Sequence, residues 1–238
     1  MVNPVHTSFE DVTLTLDGRR IFDGFDLELR ERRVGLVGRN GSGKSMLARL
    51  AAGLVAPDHG KVRIEGADIF RDRAEAIRLV GILFQNPDHQ IIFPTVEEEL
   101  AFGLTQQGLG RRAARAGATE TLAAFGKADW AERPIATLSQ GQRHLVCLMA
   151  VLAMAPRLVI LDEPFAGLDA PTIAQLTRRL GAVEQNLLHA SHDLAALADY
   201  DRVIWIEAGR ILRDGDPGAV LAEYAERMAR AGADECSL

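Results

Sequence analysis

The stretch Gly38–Ser45 reads Gly-Arg-Asn-Gly-Ser-Gly-Lys-Ser and fits the phosphate-loop pattern G-x-x-x-x-G-K-[ST] at every fixed position. An apolar run at 34–37 precedes it and predicts a strand. A predicted helix follows it. The glycines let the backbone wrap closely around phosphate oxygens, and the helix N-terminus offers N–H donors. The apolar face of that helix is predicted from Met46, Leu47, Leu50, Ala51 and Leu54.

This context favours a phosphate-binding loop over the alternative, a glycine-rich turn with a surface lysine. Lys44 is expected to reach the β- and γ-phosphates of a nucleotide, and the Ser45 hydroxyl is expected to hold Mg²⁺. The predicted nucleotide contacts of the loop are Gly38, Asn40, Gly41, Ser42, Gly43, Lys44 and Ser45.

The composition of the 238 residues, 47% apolar and 25% charged, is typical of a globular protein with a sizeable core. A formal net charge of −6 argues against general affinity for nucleic acid or anionic lipid. Two cysteines cannot form a disulfide framework, which favours a reduced, cytosolic compartment. The longest apolar run, 145–155, is shorter than the about 20 residues of a spanning helix. Any membrane association is therefore expected to occur through partners.

The order of apolar patterns predicts an α/β fold. Alternating residues before and after an Asp17-Gly18 turn predict half-exposed strands of a small N-terminal antiparallel β-subdomain. Continuous apolar runs predict the buried strands of a mostly parallel sheet, at 34–37, 80–84, 158–161, 187–188 and 203–206. Together with the phosphate loop, these runs predict a P-loop NTPase core with a modest appended subdomain.

Helical composition at 96–137, between the second and third of these runs, predicts an inserted helical subdomain, which we place at about 86–150. Glycine-rich joints are predicted at Gly108–Gly110 and at Gly117. Asp216-Pro217 has the pattern of an N-cap followed by a first-turn proline, and predicts a C-terminal helix to about Ala231.

The second motif is a pair of adjacent acidic residues, Asp162 and Glu163, directly after the apolar run 158–161. Ligands of α/β sheets bind at the carboxyl ends of the strands, so Asp162 is placed to hold Mg²⁺. Glu163 points elsewhere and can polarise an attacking water as a general base. An acidic turn after a core strand is the alternative for this motif taken alone.

Four further motifs occur in a fixed order along the chain. They are Gln85 after a strand, Leu-Ser-Gln-Gly-Gln at 138–142, Ala-Gly-Leu-Asp at 166–169, and His192. With these motifs the sequence resembles the nucleotide-binding subunit of ATP-binding cassette (ABC) transporters over about residues 7–225. The resemblance implies a single nucleotide-binding domain over 1–238 and an ATPase that uses ATP and Mg²⁺. It also implies that His192 contacts the γ-phosphate and that Gln85 senses the metal or the attacking water.

Ser139 and Gln142 have the S-x-x-Q spacing of a capping box, so the 138–142 motif is expected to begin a helix. The resemblance implies that Ser139, Gly141 and Gln142 act in trans on a nucleotide held by another subunit's phosphate loop. It also implies that Asp169 links the two sites across the interface. Because one chain carries one loop and one signature, a second ATPase subunit is expected, most simply in a homodimer.

Two of the departures from the family pattern concern the nucleotide site. Gln140 replaces a glycine, so a left-handed backbone there would be strained, although the cap needs only Ser139 and Gln142. Leu16 stands where the family has an aromatic residue that stacks on adenine, with Phe22 nearby. Adenine stacking is therefore expected to be weaker, or to be supplied by Phe22.

The stretch 85–103 is similar to the corresponding segment of energy-coupling factor (ECF) ATPases, which power vitamin and transition-metal uptake. In that family a second glutamine, which corresponds to Gln90 here, lies in a short helix that lines the groove for the transmembrane partner. Ile91, Ile92 and Phe93 could form the groove floor, and the acids 97–99 could attract a basic coupling helix. The alternative places the apolar trio in the core and makes the acids a solvated first helical turn.

Within this group the sequence looks most like the ATPase of bacterial biotin uptake systems, with cobalt or nickel uptake next. This resemblance implies a motor subunit on the cytoplasmic face of the bacterial inner membrane. Its partners would be a transmembrane coupling (T) subunit and a substrate-binding (S) subunit. Two alternatives remain, a soluble ABC ATPase of DNA repair or translation and a P-loop kinase. The acidic charge and the short insertion count against the first, and the signature and His192 would have no role in the second.

Overall fold

The computed structural model describes residues 4–165 and 167–235. Ala166, the first residue of the Ala-Gly-Leu-Asp motif, and Cys236 lie outside the described residues. The described chain forms two compact units. The first unit contains residues 4–71 and 186–235, and the second contains residues 72–185.

The first unit contains the predicted antiparallel sheet. Strands β1 (Thr7–Leu16) and β2 (Arg19–Leu29) form a hairpin. Asp17 and Gly18 make its turn, both in the left-handed region that tight hairpin turns require. The other edge of β1 pairs with β4 (His59–Ile64), which pairs with the short β5 (Ala67–Asp68). The prediction of an N-terminal antiparallel sheet is therefore confirmed.

A second, mixed sheet in this unit contains β3 (Arg33–Val37), β8 (Asn186–Ala190), β9 (Arg202–Glu207) and β10 (Arg210–Gly215). Within the unit the order is β10-β9-β3-β8. Strand β3 runs parallel to both β8 and β9, and β10 is antiparallel to β9. The runs predicted at 34–37, 187–188 and 203–206 are therefore strands, and all three are parallel.

Helix α1 (Lys44–Ala51) follows β3, as predicted, but it ends earlier than the apolar pattern suggested. Gly53 adopts a left-handed φ of 68° and donates to the carbonyl of Leu50 at 3.0 Å. Leu54 N donates to the carbonyl of Arg49 at 2.9 Å, which completes a Schellman motif. Leu54 therefore lies beyond the helix and is exposed, so its assignment to the buried face is wrong.

Helix α7 (Pro217–Glu235) begins where the sequence predicts and extends four residues beyond the predicted end. The Asp216 carboxylate caps it by accepting a hydrogen bond from Ala219 N at 3.0 Å. The helix packs on β9, where the Tyr224 ring meets the Trp205 ring edge-on with centroids 5.1 Å apart.

The second unit contains α2 (Arg73–Leu79), α3 (Val96–Gln106), α4 (Arg111–Ala124), α5 (Gln140–Ala153) and α6 (Ala170–Ala182). Its two strands, β6 (Val80–Leu83) and β7 (Leu158–Asp162), pair in parallel, which confirms the runs predicted at 80–84 and 158–161. Short 3₁₀ turns occur at Pro87–His89, Ala128–Trp130 and Ile135–Thr137. Across the described residues, no helix is both long and apolar enough to cross a membrane.

The two predicted glycine joints differ in outcome. Gly108, with a left-handed φ of 94°, lies between α3 and α4 as predicted. Gly117 lies inside α4, so the prediction of a joint there is wrong. A Cβ at Gly117 would come within 2.8 Å of Leu104 Cδ1 on α3. The glycine therefore allows close packing of the two helices rather than a break between them.

Candidate functional site

The phosphate loop in the first unit has a backbone that glycine adopts readily. Gly38, Gly41 and Gly43 have φ values of 154°, 75° and 116°. A Cβ at Gly38 would lie 2.2 Å from the carbonyl oxygen of Ile206 on β9, so only glycine fits there. Gly43 is the N-cap of α1 and forms no side-chain cap. The N-terminus of α1 therefore presents backbone donors of the kind that bind phosphate.

Lys44 is held at this loop by its own backbone. The side chain is only 5% exposed, and Nζ donates to the carbonyl oxygens of Gly38 at 2.6 Å and Arg39 at 3.1 Å. The carbonyl dipoles offset the cost of burying the ammonium group. The ammonium is therefore positioned where a nucleotide phosphate in the loop can form charge-assisted hydrogen bonds with it.

His192 follows β8, the parallel neighbour of the strand that leads into the phosphate loop. Ser191 N donates to the carbonyl of Leu36 at 3.2 Å, and Ser191 Oγ accepts from Asp193 N at 3.0 Å. These bonds fix the turn on both sides of His192, whose side chain is exposed. The carboxyl ends of parallel strands meet at one edge, so His192 and the phosphate loop share that edge.

The structure separates the two residues considered for adenine stacking. Leu16, at the end of β1, is 40% exposed. Phe22 is 1% exposed, and its ring centroid lies 4.8 Å from that of Phe25. A Cβ at Gly43 would come within 3.1 Å of the Phe22 ring, so this ring packs against the phosphate loop. The expectation that Phe22 stacks on adenine is therefore wrong, and Leu16 is the accessible one of the pair.

The acid pair lies in the second unit, at the end of a strand whose five residues are all buried. Asp162 is the last residue of β7 and is buried. Glu163 is half-buried and has a left-handed φ of 51°. A residue with a side chain pays about 1–2 kcal/mol for that backbone conformation. Asp17 in the β1–β2 turn has a similar left-handed φ, so this conformation serves the turn that follows β7.

The signature forms the capped helix start that the sequence predicts. Ser139 Oγ accepts from Gln142 N at 3.3 Å, and Gln142 Oε1 accepts from Ser139 N at 2.9 Å. Both halves of the capping box are present at the start of α5. Gln140 is the first helical residue and is not among the residues with positive φ. The replacement of the family's glycine therefore introduces no left-handed strain.

Gly141 and Asp169 are connected through one residue of α6. A Cβ at Gly141 would come within 2.7 Å of Thr172 Cγ2, so the glycine allows α5 to approach α6 closely. Asp169 is the N-cap of α6 and accepts from Thr172 N at 2.9 Å. Hydrogen bonds from Thr172 lower the pKa of the exposed Asp169 carboxyl. The signature and the Asp169 loop are thus neighbours.

Gln85 follows β6 and has an exposed side chain. Its carbonyl oxygen lies 3.1 Å from Nε2 of His144, a fully buried residue of α5. Sequence reasoning missed His144, because a histidine in an apolar helix carries no signal of its own. The contact joins the glutamine loop to the signature helix.

A cavity of about 250 Å³ lies beside the residues predicted to receive a membrane partner. Gln90 and Ile92 line it together with Ile82, Phe102 and Met154. Ile92 is 66% exposed, so the alternative that places it in the core is wrong. Phe93 lines a neighbouring cavity of about 330 Å³ instead, and its ring centroid lies 5.1 Å from that of Phe102.

The acids at the start of α3 are not a uniformly solvated turn. Glu99 is buried, and its Oε2 accepts from the backbone N–H groups of Ile92 and Phe93, each at 2.9 Å. Glu98 forms a hydrogen-bonded pair with the helix cap Thr95, whose hydroxyl donates to it at 2.6 Å. The solvated-turn interpretation is therefore wrong for Glu99, and so is the expectation that Glu99 attracts a basic coupling helix. Its carboxylate instead anchors the 92–93 backbone next to the cavity.

The donor set suits a magnesium ion that arrives with a nucleotide. The candidate ligands, the Ser45 hydroxyl, the Asp162 carboxylate and the Gln85 side-chain amide, are all oxygen donors, which Mg²⁺ prefers. Among the described residues no group of three or more His, Cys, Asp and Glu side chains could hold a metal.

The sequence profile described as "ABC transporter" matches residues 22–166. The chain is 53% identical over 225 residues to the "Biotin transport ATP-binding protein BioM" of Rhodobacter capsulatus, covering 93% of this chain and 96% of that protein. The chain belongs to the ABC transporter family. This ABC ATPase is also 34% identical to the "Cobalt import ATP-binding protein CbiO" of Syntrophus aciditrophicus, over 86% of this chain and 75% of that protein.

A solved structure, cbiO1 from Clostridium perfringens, superimposes on this ABC ATPase with a TM-score of 0.79 at 27% identity. The match covers 93% of this chain and 92% of that one, which is described as part of the ABC transporter complex cbiONQ. The predicted α/β ABC ATPase fold, with its antiparallel sheet and mixed sheet, is confirmed. Membership of the family makes the chain an ATP-binding ATPase whose activity is coupled to transport.

Proposed function

We propose that this ABC ATPase is the motor subunit of an ECF importer that takes up biotin. The observation that carries the proposal is 53% identity, over nearly the full length of both chains, to a biotin transport ATP-binding protein. Identity to the cobalt import protein is 34%. Uptake of cobalt or nickel is the second candidate, favoured by the structural likeness to cbiO1.

Nucleotide binding is assigned to the loop that holds Lys44. The N–H groups at the start of α1 and the Lys44 ammonium would receive the phosphates, with Leu16 against the adenine. Ser45, Asp162 and Gln85 would hold Mg²⁺, which neutralises charge on the phosphates as the bond to the leaving group breaks.

Hydrolysis is assigned to Glu163 and His192. A water oxygen attacks the γ-phosphorus, the water proton moves to the Glu163 carboxylate, and the bond to the β-phosphate oxygen breaks to leave ADP. His192 would contact the γ-phosphate, and its exposed side chain at the strand edge supports that role.

A second ATPase subunit completes the proposed motor. Ser139, Gly141 and Gln142 at the capped start of α5 would act on the γ-phosphate of a nucleotide held by the other subunit. Asp169, next to this motif through Thr172, would lie at the dimer interface. The motor would close on two ATP molecules and open after hydrolysis.

The membrane partners are proposed to dock on the cavity lined by Gln90 and Ile92, with Phe93 beside it. A helix of the T subunit would lay its apolar face there, while the S subunit binds the cargo. The chain, acting as one nucleotide-binding domain with its helical part at about 86–150, would then work at the cytoplasmic face of the inner membrane.

Purification of the tagged chain from its native membranes tests this function. The co-purified proteins are reconstituted into proteoliposomes, and ATP-dependent uptake of labelled biotin, cobalt and nickel is measured. Biotin uptake with retained T and S subunits is expected. Uptake of a metal ion without biotin would make the second candidate correct, and absence of membrane partners would contradict both.

Ile92→Glu is expected to reduce co-purification of the membrane partners about tenfold or more, because it places a charge where an apolar face must dock. Quantitative blotting of partner subunits after pull-down measures the loss. Leu54→Glu is the control, since Leu54 is also exposed but lies in the first unit. Undiminished co-purification of a folded Ile92→Glu variant would contradict the docking assignment.

Leu16→Tyr is expected to tighten ATP binding about 2- to 10-fold, because an aromatic ring stacks on adenine better than leucine does. Titration calorimetry with the Glu163→Gln background avoids turnover during the measurement. Leu54→Tyr, at another exposed leucine, is the control. An unchanged Kd would show that adenine does not lie against Leu16.

A further inference from the structure

His144 lies in α5, one turn after the capped start of the signature. The side chain is 0% exposed. Its Nδ1 lies 3.2 Å from the carbonyl oxygen of Gln140, and its Nε2 lies 3.1 Å from the carbonyl oxygen of Gln85. One imidazole thus contacts both the signature motif and the glutamine loop, two segments to which the proposed function assigns chemistry.

The hydrogen-bonding chemistry distinguishes the two contacts. A carbonyl oxygen only accepts, so each contact needs an N–H on the ring, and a neutral imidazole carries only one. Gln140 lies one turn back in the same helix, whereas Gln85 is 59 residues away in the chain. The proton is placed on Nε2, because the Gln140 carbonyl is already the helical i−4 acceptor for the His144 backbone N–H. His144 then donates to the Gln85 carbonyl, and this hydrogen bond ties α5 to the glutamine loop.

Neighbouring side chains of α5 hold the adjoining segment. Arg143 forms an ion pair with Asp88 at 3.1 Å and donates to the carbonyl of Leu138 at 2.9 Å. Cys147 Sγ lies 4.0 Å from the carbonyl oxygen of Pro87, and burial raises the pKa of this thiol to about 12, which keeps it neutral. Because α5 is regular and capped at Ser139, these contacts fix the 85–88 segment relative to the signature.

We propose that His144 is a positioning residue that holds Gln85 in register with the signature. When the start of α5 closes on the partner's nucleotide, the ring carries the displacement to the glutamine loop and sets the Gln85 side chain for hydrolysis. Because its side chain is fully buried, His144 would act through Gln85 and not on the reacting atoms directly. This inference rests on the proposed roles of Gln85 and of the signature.

The test compares His144→Gln with His144→Met in the complex purified with its membrane partners. The two side chains have nearly the same length, but only glutamine can donate to the Gln85 carbonyl. We expect kcat for ATP to fall about tenfold in His144→Met, with KM within about twofold of wild type. His144→Gln is expected to keep kcat within about threefold, since it retains the donor.

A third variant, His144→Asn, covers the case in which His144→Met fails to fold. Its amide is one methylene too short to reach Gln85, so it should lose kcat as the methionine variant does. Wild-type kcat in His144→Met or in His144→Asn would overturn the positioning role. Equal loss of kcat in His144→Gln and His144→Met would also overturn it. A wild-type complex that hydrolyses ATP without moving biotin would contradict the proposed function. The kcat comparison would still decide the role of His144 in that case.

Discussion

Glu163→Gln is expected to lower ATP turnover by about 10²–10⁴-fold, the usual contribution of a general base. Glutamine keeps the shape of the side chain but cannot accept the water proton as a carboxylate does. Glutamate and glutamine pay about the same conformational free energy for the left-handed backbone at position 163. The substitution should therefore not change the turn after β7. ATP affinity should therefore stay near the wild-type value.

The decisive measurement for this variant combines turnover with oligomeric state. With ATP bound and hydrolysis blocked, two subunits should remain closed on two nucleotides and elute as a dimer, because both loops and both signatures are then engaged. Glu184→Gln makes the same chemical change at an exposed position of the second unit and should leave turnover unchanged. Unchanged turnover in Glu163→Gln would remove this residue from its role, and a monomer with ATP would contradict the two-subunit site.

The predictions that the structure confirms rest on signals within a few residues of one another. The apolar runs at 34–37 and 158–161 are buried strands because continuous apolar residues suit a sheet covered on both faces. The capping box of Ser139 and Gln142 forms because both halves lie within one helical turn. Such features can be predicted without knowing which distant segments of the chain pack against them.

The features that sequence reasoning missed depend on contacts between distant elements. The sequence offers Phe22 as an aromatic residue for adenine, but Phe25 and the phosphate loop cover its ring in the structure. The sequence predicts a break between helices at Gly117, but the glycine lies inside α4 and leaves room for the Leu104 side chain. Glu99 reads as one of three solvated acids, and only the fold turns the N–H groups of residues 92–93 toward it. Tertiary contacts decide such positions, and no local pattern reports them.

Lys44→Ala is expected to reduce kcat/KM for ATP by about 10²–10³-fold, the cost of losing one preorganised donor to developing charge. The reason lies in how the ammonium is held. Its hydrogen bonds to Gly38 and Arg39 keep it at the loop before any phosphate arrives, so little side-chain entropy is lost on binding. Removing it takes away both a preorganised donor and a positive charge from the phosphate site.

The matched control is Lys61→Ala, which removes the same charge from an exposed position on β4 of the same unit. If net charge alone governed ATP affinity, the two variants would lose it equally. If preorganised contact governs it, Lys44→Ala should lose ATP binding or turnover while Lys61→Ala keeps both. Equal behaviour of the two variants in titration calorimetry and phosphate release would contradict the assignment of Lys44 to the phosphates, and with it the role of the Gly38–Ser45 loop.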